Sequence, residues 1–172
     1  LDRFKKGLKN LGPKHKSLCR HLANSAGTLS DSCFHFDMVR VGLSLYGYSP
    51  FAELDHNLNL KPALNVRARV THVRNVQKGT GVGYGHSFKC LRNSRLAVVA
   101  IGYADGVSRS LSGRIFASVG GVLVPQVGSI AMDQMVLDIT DHPNIKVGDI
   151  ATLLGSDREN FISPQKWSDL SG

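Results

Sequence analysis

The sequence has 172 residues, of which 42% are apolar and 20% charged, and its formal net charge is +8 at neutral pH. This balance supplies enough apolar residues for one large or two small packed domains, and it excludes a disordered polyelectrolyte. No apolar run approaches the roughly 18 residues that a membrane-spanning helix requires. No basic-then-apolar segment typical of a secretory signal opens the chain.

The positive charge is concentrated in two blocks. Residues 1–20 contain seven basic residues against one acid, and residues 61–95 contain eight basic residues and no acid. Such blocks attract phosphate groups or nucleic acid. A solvated protein surface has the same pattern and is the simpler interpretation.

The three cysteines, Cys19, Cys33 and Cys90, are scattered along the chain. They form no CxxC pair and lack the spacing of a zinc site or a disulfide framework. Because unpaired thiols are typical of a reducing compartment, we expect a cytoplasmic protein without a metal centre.

The first fifty residues have the pattern of an α/β unit. Apolar residues recur at helical spacing within residues 1–11 and predict a helix that Gly12-Pro13 ends. A short strand is expected at 18–22 and a longer one at 38–46, which is apolar on both faces like a covered parallel strand. Since the helical pattern is already under way at Leu1, we expect a piece of a longer protein.

The composition changes after residues 50–60, which have the character of a linker. Short β-rich runs separated by glycine follow, and this spacing favours a mostly antiparallel barrel or sandwich. Gly120-Gly121 predicts a tight hairpin between two runs, and Ser163-Pro164 predicts the start of a last helix. The predicted strands are 63–76, 96–101, 115–119, 122–127, 135–139 and 149–154.

Two segments in the first fifty residues have groups that could hold an anion. Asn24-Ser25 follows the short predicted strand, where backbone N–H groups and a hydroxyl could bind phosphate, although an ordinary capped helix start has the same pattern. Arg40 lies in an apolar strand and requires a partner, since an unpaired buried charge is costly. A structural ion pair and a functional arginine fit equally well, and Gly42 either admits a ligand or relieves packing.

Three segments of the second half carry polar groups at the ends of strands. The glycine-rich segment 81–85 lacks the lysine and hydroxyl of a P-loop, so a β-turn is favoured. Tyr103 closes an apolar strand and is interpreted as a packing residue on pattern alone, because a tyrosine acts as a base only beside a cation or donor. Met132 interrupts the alternation of its strand, although methionine more often belongs to a core.

The order and spacing of these segments closely resemble those of alanine racemases, pyridoxal-phosphate enzymes of bacterial wall synthesis. The resemblance extends over nearly the whole chain and depends on several motifs together. The matching segments are His21-Leu22-Ala23-Asn24-Ser25, Phe36-Asp37-Met38-Val39-Arg40, Leu45-Tyr46-Gly47, Val82-Gly83-Tyr84-Gly85, Gly102-Tyr103-Ala104-Asp105-Gly106 and Met132-Asp133-Gln134.

The resemblance implies a fold and a reaction. Residues 1–55 would be the last units of a TIM-like α/β barrel that binds the cofactor, and residues 56–172 a mostly antiparallel β domain, incomplete at its end. The implied reaction interconverts L- and D-alanine through a pyridoxal-phosphate aldimine, with a lysine and a tyrosine as the two bases, and supplies D-alanine for peptidoglycan. The lysine belongs to a motif absent from this sequence, so the fragment is expected to be inactive without the rest of its parent.

The resemblance also implies roles for cofactor-binding residues. Asn24 and Ser25 match the pair that holds the cofactor phosphate, and Gly42 and Leu43 match positions whose backbone N–H groups meet it. Arg40 matches the arginine that faces the pyridine nitrogen. Because arginine keeps its proton, the ring nitrogen stays unprotonated and side reactions such as transamination are disfavoured.

Tyr103 matches the catalytic tyrosine, which the resemblance places in the partner's site of a head-to-tail homodimer. The backbone N–H of Met132 matches a group that receives the substrate carboxylate. Ser129 and Ala131 depart from the family, where arginine and cysteine are common at these positions. The first departure affects the polar network at the substrate entrance.

Three other functions compete with this assignment. The first is a racemase of another small amino acid such as serine, and the second is a non-catalytic pyridoxal-phosphate carrier, which would have no need of Tyr103. The third is a basic β domain that binds nucleic acid. It is favoured by Arg67 and Arg69 on one face of a predicted strand, but only Tyr84 and Phe88 are available to stack on bases.

Overall fold

The computed structural model describes residues 1–51 and 59–171, which fall into two compact units divided between Ala63 and Leu64. Most of the predicted linker, residues 50–60, lies outside the described residues. None of the helices within 1–51 and 59–171 combines the length and apolar character that crossing a membrane requires.

The first unit is built from two α-helices and short 3-10 turns. Helix α1 spans Asp2–Asn10 and confirms the predicted helix, and helix α2 spans Ser25–Ser30. Phe4 of α1 packs edge-on against Phe36, with ring centroids 5.0 Å apart. Phe36 adopts a positive φ of 51°, which is unusual for a bulky residue. The 3-10 turns span Gly12–Ser17, Ser32–Phe34 and Leu43–Tyr46.

The two strands predicted in this unit, 18–22 and 38–46, are wrong. The segments lie side by side, since the Asp37 N–H donates to the Arg20 carbonyl and the Arg40 N–H to the Ala23 carbonyl, at 3.0 and 2.9 Å. Two such bonds do not make a strand ladder, and the end of the second segment turns at Leu43–Tyr46. A parallel strand needs a hydrogen-bonded ladder with a neighbouring strand, which an apolar pattern alone does not provide.

The second unit is an antiparallel sheet of short strands, and it confirms the β-rich prediction to within a few residues at each strand. The predicted hairpin at Gly120-Gly121 is confirmed, because Val119 pairs with Val122. The predicted last helix is also present, as α3. The elements are β1 (Val66–Val76), β2 (Gly81–Val82), β3 (Phe88–Lys89), β4 (Ser94–Val99), β5 (Phe116–Val119), β6 (Val122–Val127), β7 (Met135–Asp138), β8 (Ile150–Asp157), β9 (Asn160–Ile162) and α3 (Pro164–Ser171).

The main sheet closes on itself through β1. Its strand order is β1-β4-β7-β6-β5-β8-β9, and β1 also pairs with β8. The long first strand serves both edges: residues 66–69 pair with β8, and residues 70–76 pair with β4. Closure leaves few open backbone groups, which stabilises a sheet of short strands.

The core of this unit lies on the inner face of the closed sheet. Strand residues such as Val70, Ala97, Leu137 and Leu153 are fully buried there, and Trp167 of α3 packs against the same cluster. Each fully buried Val or Leu side chain stabilises a fold by roughly 1.5–3 kcal/mol. The loops that follow β4 and β6 emerge from this core, and they carry Tyr103 and Met132.

Candidate active site

Ser25 is the centre of a cluster of hydrogen-bond donors in the first unit. It is 7% exposed, and its Oγ accepts bonds from the Gly42 N–H at 3.0 Å and the Ser44 N–H at 3.3 Å. Asn24 caps α2, with its Oδ1 accepting from the Gly27 N–H at 3.0 Å. The capped helix start expected as an alternative is therefore present, and it also fixes the position of the Ser25 hydroxyl.

An ion pair beside this cluster holds the two converging segments together. The Arg20 guanidinium donates to both carboxylate oxygens of Asp37 at 2.7 Å, and the Arg20 N–H donates to Asp37 Oδ2 at 2.8 Å. These bonds hold the pKa of Asp37 well below its usual range. Arg20 also lies over the ring of Phe36, 5.9 Å from its centroid. The pair fixes the start of the segment that ends at Gly42.

Arg40 is exposed, contrary to the expectation of a charge inside an apolar strand. The nearby acid, Asp37, pairs with Arg20 instead, and no ion pair is formed by Arg40 within the described residues. The structural ion pair considered for Arg40 is therefore wrong. Its guanidinium is available to another group.

The residues around Ser25 fit a phosphate group. The Leu43 N–H lies between the two N–H groups that meet Ser25 Oγ, and it has no acceptor in the part of the chain that the structure describes. A Cβ at Gly42 would meet nothing within 4 Å, so a ligand can approach the backbone there. The Ser44 Oγ is buried without a partner. A hydroxyl and clustered backbone N–H groups are the donors that phosphate sites use.

In the second unit, the structure brings Tyr103 and Met132 together. The Tyr103 N–H donates to the Ala131 carbonyl and the Ala104 N–H to the Met132 carbonyl, both at 2.9 Å. Tyr103 is 43% exposed and Met132 58% exposed. Among the described residues, nothing accepts a bond from the Met132 N–H, so this donor is free to bind a ligand.

This pairing depends on Gly102. A Cβ at this position would lie 2.5 Å from the Met132 carbonyl oxygen and would also overlap the Ala131 carbonyl. The Gly102 N–H donates to Asp105 Oδ2 at 2.9 Å, which closes the turn that carries Tyr103. The absence of a side chain at Gly102 therefore sets the position of Tyr103 relative to Met132.

A second tyrosine, Tyr84, lies at the same loops, and its sequence pattern predicts only a turn residue whose ring could stack on a base. The β-turn predicted at 81–85 is confirmed as the β2–β3 hairpin, but its tip carries the most exposed of the four tyrosines, at 71%. The Tyr84 carbonyl accepts from Ser129 Oγ at 3.3 Å. In the sequence, glycines flank Tyr84 on both sides. Because glycine has no side chain to pack against the ring, this pattern indicates a ring that projects from the turn.

A cavity of about 260 Å³ separates the Tyr84 turn from the segment that follows Met132. Its walls include Ser129 and Ala131, the two departures from the family pattern, together with Gln134 and Met135. Ser129 and Ala131 contribute only small side chains to these walls.

Comparison with protein families matches both units. Residues 1–50 match the model described as alanine racemase, N-terminal domain, and residues 63–172 match alanine racemase, C-terminal domain. An alanine racemase of Prochlorococcus marinus is 57% identical over 171 residues, covering 99% of this chain and 44% of the relative. That of a Nostoc species is 48% identical over 162 residues, covering 94% and 42%.

Solved structures give the same result. Alanine racemase from Bacillus anthracis with bound L-Ala-P superimposes with a TM-score of 0.85 at 36% identity, over 97% of this chain and 42% of that one. Alanine racemase from Bartonella henselae with covalently bound pyridoxal phosphate gives 0.76 at 35% identity, over 97% and 46%. The fold is thus the end of an α/β barrel followed by an antiparallel β domain. The chain spans less than half the length of these relatives, and it belongs to the alanine racemase family.

Proposed function

We propose that the protein containing this sequence interconverts L- and D-alanine with pyridoxal phosphate as cofactor. The Met132 loop carries the proposal, because its open backbone N–H lies between two tyrosine-bearing turns: residues 102–104 pair with 131–132, and Ser129 of the same loop binds the Tyr84 carbonyl. The Bartonella relative binds pyridoxal phosphate covalently and the Bacillus relative binds L-Ala-P, which supports the cofactor and the substrate class.

The first unit would hold the cofactor. Ser25 would donate its hydroxyl proton to the phosphate and Leu43 would add its backbone N–H. The Gly42 N–H, which donates to Ser25 Oγ here, would turn to the phosphate on binding, while Asn24 keeps the helix start in place. The unpaired guanidinium of Arg40 would face the ring nitrogen and leave it unprotonated, since arginine does not release its proton. The cofactor supplies the electron withdrawal that makes the substrate α-proton acidic.

The second unit would bind and deprotonate the substrate. The Met132 N–H donates to the substrate carboxylate, and a tyrosine takes or returns the α-proton on one face while the lysine of the missing motif serves the other. The resemblance assigns this tyrosine as Tyr103. A side chain that acts in the partner's site of a homodimer has to project from its own chain. This requirement favours Tyr84, which is 71% exposed, over Tyr103, which is 43% exposed.

The nucleic-acid alternative has less support. Arg67 and Arg69 donate to the backbone carbonyls of Ser156 and Gly148, each at 3.0 Å. These guanidinium groups therefore brace β1 against its neighbours, and their capacity to bind phosphates is reduced.

The experiment compares Tyr84→Phe and Tyr103→Phe in the full-length protein loaded with pyridoxal phosphate. We expect Tyr84→Phe to lose about 10²–10⁴-fold in racemisation, the usual contribution of a general base, while Tyr103→Phe stays close to wild type. Cofactor absorbance should persist in both, and assaying serine beside alanine tests the substrate. Full activity in both variants would contradict a tyrosine base from this unit.

The sequence upstream of Leu1 provides an independent test. We expect it to encode a strand that ends in a lysine followed by Ala-Asn-Ala-Tyr-Gly, the motif that would supply the other base. An unrelated upstream domain would leave the protein without its cofactor anchor and would contradict the proposal.

A further inference from the structure

The Tyr84 turn is held against the Met132 loop by close backbone contact. Gly83 and Gly128 have positive φ values of 71° and 73°, and each lies where a side chain would clash with the other loop. A Cβ on Gly83 would be 2.8 Å from the Ser129 nitrogen, and one on Gly128 would be 2.8 Å from the Val82 carbonyl oxygen. The two glycines bring Ser129 within reach of the turn.

Two hydroxyl groups connect the loops beyond this contact. Ser129 Oγ lies 3.3 Å from the Tyr84 carbonyl oxygen and 3.1 Å from Ser87 Oγ. A carbonyl can only accept, so the single proton of Ser129 is given to Tyr84. Ser87 must then donate its own proton to Ser129, and the two serines form a chain that ends on the backbone of Tyr84.

The base of the turn around Tyr84 is fixed by the β2–β3 pairing and by the contact of His86 with Gly81. Its tip is less restrained: Gly85 has a positive φ of 69° and open space around it, and the Gly83 carbonyl accepts from the His86 N–H at a long 3.3 Å. The Tyr84 ring itself is 71% exposed. At this tip, the hydroxyl chain adds a hydrogen bond to the Tyr84 carbonyl.

We propose that Ser87 and Ser129 form a hydroxyl latch that positions Tyr84 beside the Met132 loop for proton transfer. This inference depends on the proposed racemisation and on Tyr84 as its base. Both serines are positioning residues, since they reach the reacting atoms only through Tyr84. Ser129, one of the two departures from the family pattern, thereby acquires a role of its own.

The connectivity of the latch predicts unequal effects. Ser129→Ala removes both hydrogen bonds, whereas Ser87→Ala removes one and leaves the bond to Tyr84. Amide exchange in residues 83–87 of the full-length holoenzyme should rise about tenfold in the first variant and about threefold in the second, in line with modest net bond strengths. The double variant should match Ser129→Ala, because no further bond is lost.

The control is Ser110→Ala, which breaks another serine pair, Ser108–Ser110 at 2.9 Å, in the same unit. We expect it to leave exchange in residues 83–87 unchanged. The latch is supported if exchange rises more in Ser129→Ala than in Ser87→Ala and does not change in Ser110→Ala. Unchanged exchange in Ser129→Ala would overturn it.

An isotope effect separates positioning from simple loss of folded protein. With α-deuterated alanine, Ser129→Ala should show a larger effect for the enantiomer whose proton the tyrosine removes, and an unchanged effect for the other. A smaller folded fraction alters neither value, so equal effects in both directions would overturn the positioning role. If the wild-type protein has no racemase activity, the proposed function is refuted. The amide exchange experiment does not require turnover, so it still tests whether the two serines restrain the Tyr84 turn.

Discussion

Asp37 and Arg20 show how one residue pair can organise a unit with little core. The carboxylate accepts three bonds from Arg20, one of them from its backbone, and thereby joins the two segments that carry Ser25 and Gly42. Exposed ion pairs contribute little on average, but this one is bidentate and the same carboxylate also binds the backbone. We therefore expect this ion pair to stabilise the unit more than an average exposed pair does.

Asp37→Asn tests this pair through its pH dependence. Because the folded state lowers the pKa of Asp37, the stabilisation is present above the unfolded pKa of about 4 and is lost as the pH falls through the folded value. In wild type, amide protection of residues 20–23 and 37–40 should fall below about pH 4. In the variant, protection should already be low at neutral pH and show no such step.

Asp2→Asn is the matched control, since it removes an acid of the same unit that forms no ion pair within the described residues. Its acid profile should follow that of wild type. An acid step of wild-type size in Asp37→Asn would show that another group produces it.

Gly102 determines how closely two loops pack, as Asp37 joins two segments of the first unit. Its φ is −148°, which other residues adopt, so the constraint comes from space and not from backbone strain. We expect Gly102→Ala to destabilise the second unit by about 1–3 kcal/mol, the usual cost of overpacking. In the full-length protein it should also raise KM for alanine, because the Met132 N–H is displaced.

Thermal unfolding and alanine kinetics measure both effects. Gly7→Ala is the control, because it adds the same methyl to helix α1 where nothing lies within 4 Å. This change should be neutral or stabilise the helix by up to about 1 kcal/mol. If Gly102→Ala unfolds at the wild-type temperature, the two loops accommodate the added methyl group without loss of stability.

The sequence predicted the strands of the second unit, but it predicted a pairing only where the two strands are adjacent in the chain. The β5–β6 hairpin needs only Gly120-Gly121 and two alternating runs, and its register follows from the turn. The run 38–46 failed because apolar residues alone do not distinguish a covered strand from a turn that leaves its apolar side chains exposed. Among site residues, Ser25 and Gly42 could be assigned to one site because both match a family motif. The contact of Tyr84 with Ser129 joins residues 45 positions apart, and no motif in either segment predicts it.

At the scale of the whole molecule, the two units differ in how much they bury. The second unit encloses a cluster of fully buried side chains within a closed sheet. Among the residues whose burial the structure describes, the first unit buries only Ala23 and Ser25. Since buried apolar area is the main stabilising contribution to folding, the units should differ in stability when the 172-residue chain is studied alone.

Hydrogen exchange on the 172-residue chain measures this difference directly. We expect slow exchange in the strands of residues 66–154 that line the core, because their amides open only when the sheet unfolds. Residues 1–50 should exchange orders of magnitude faster, through local opening of α1 and α2. Because urea weakens apolar burial, a low concentration should remove the remaining protection of residues 1–50 before that of the sheet. Equal protection across both units would show that they unfold together, and that burial within each unit does not determine its stability.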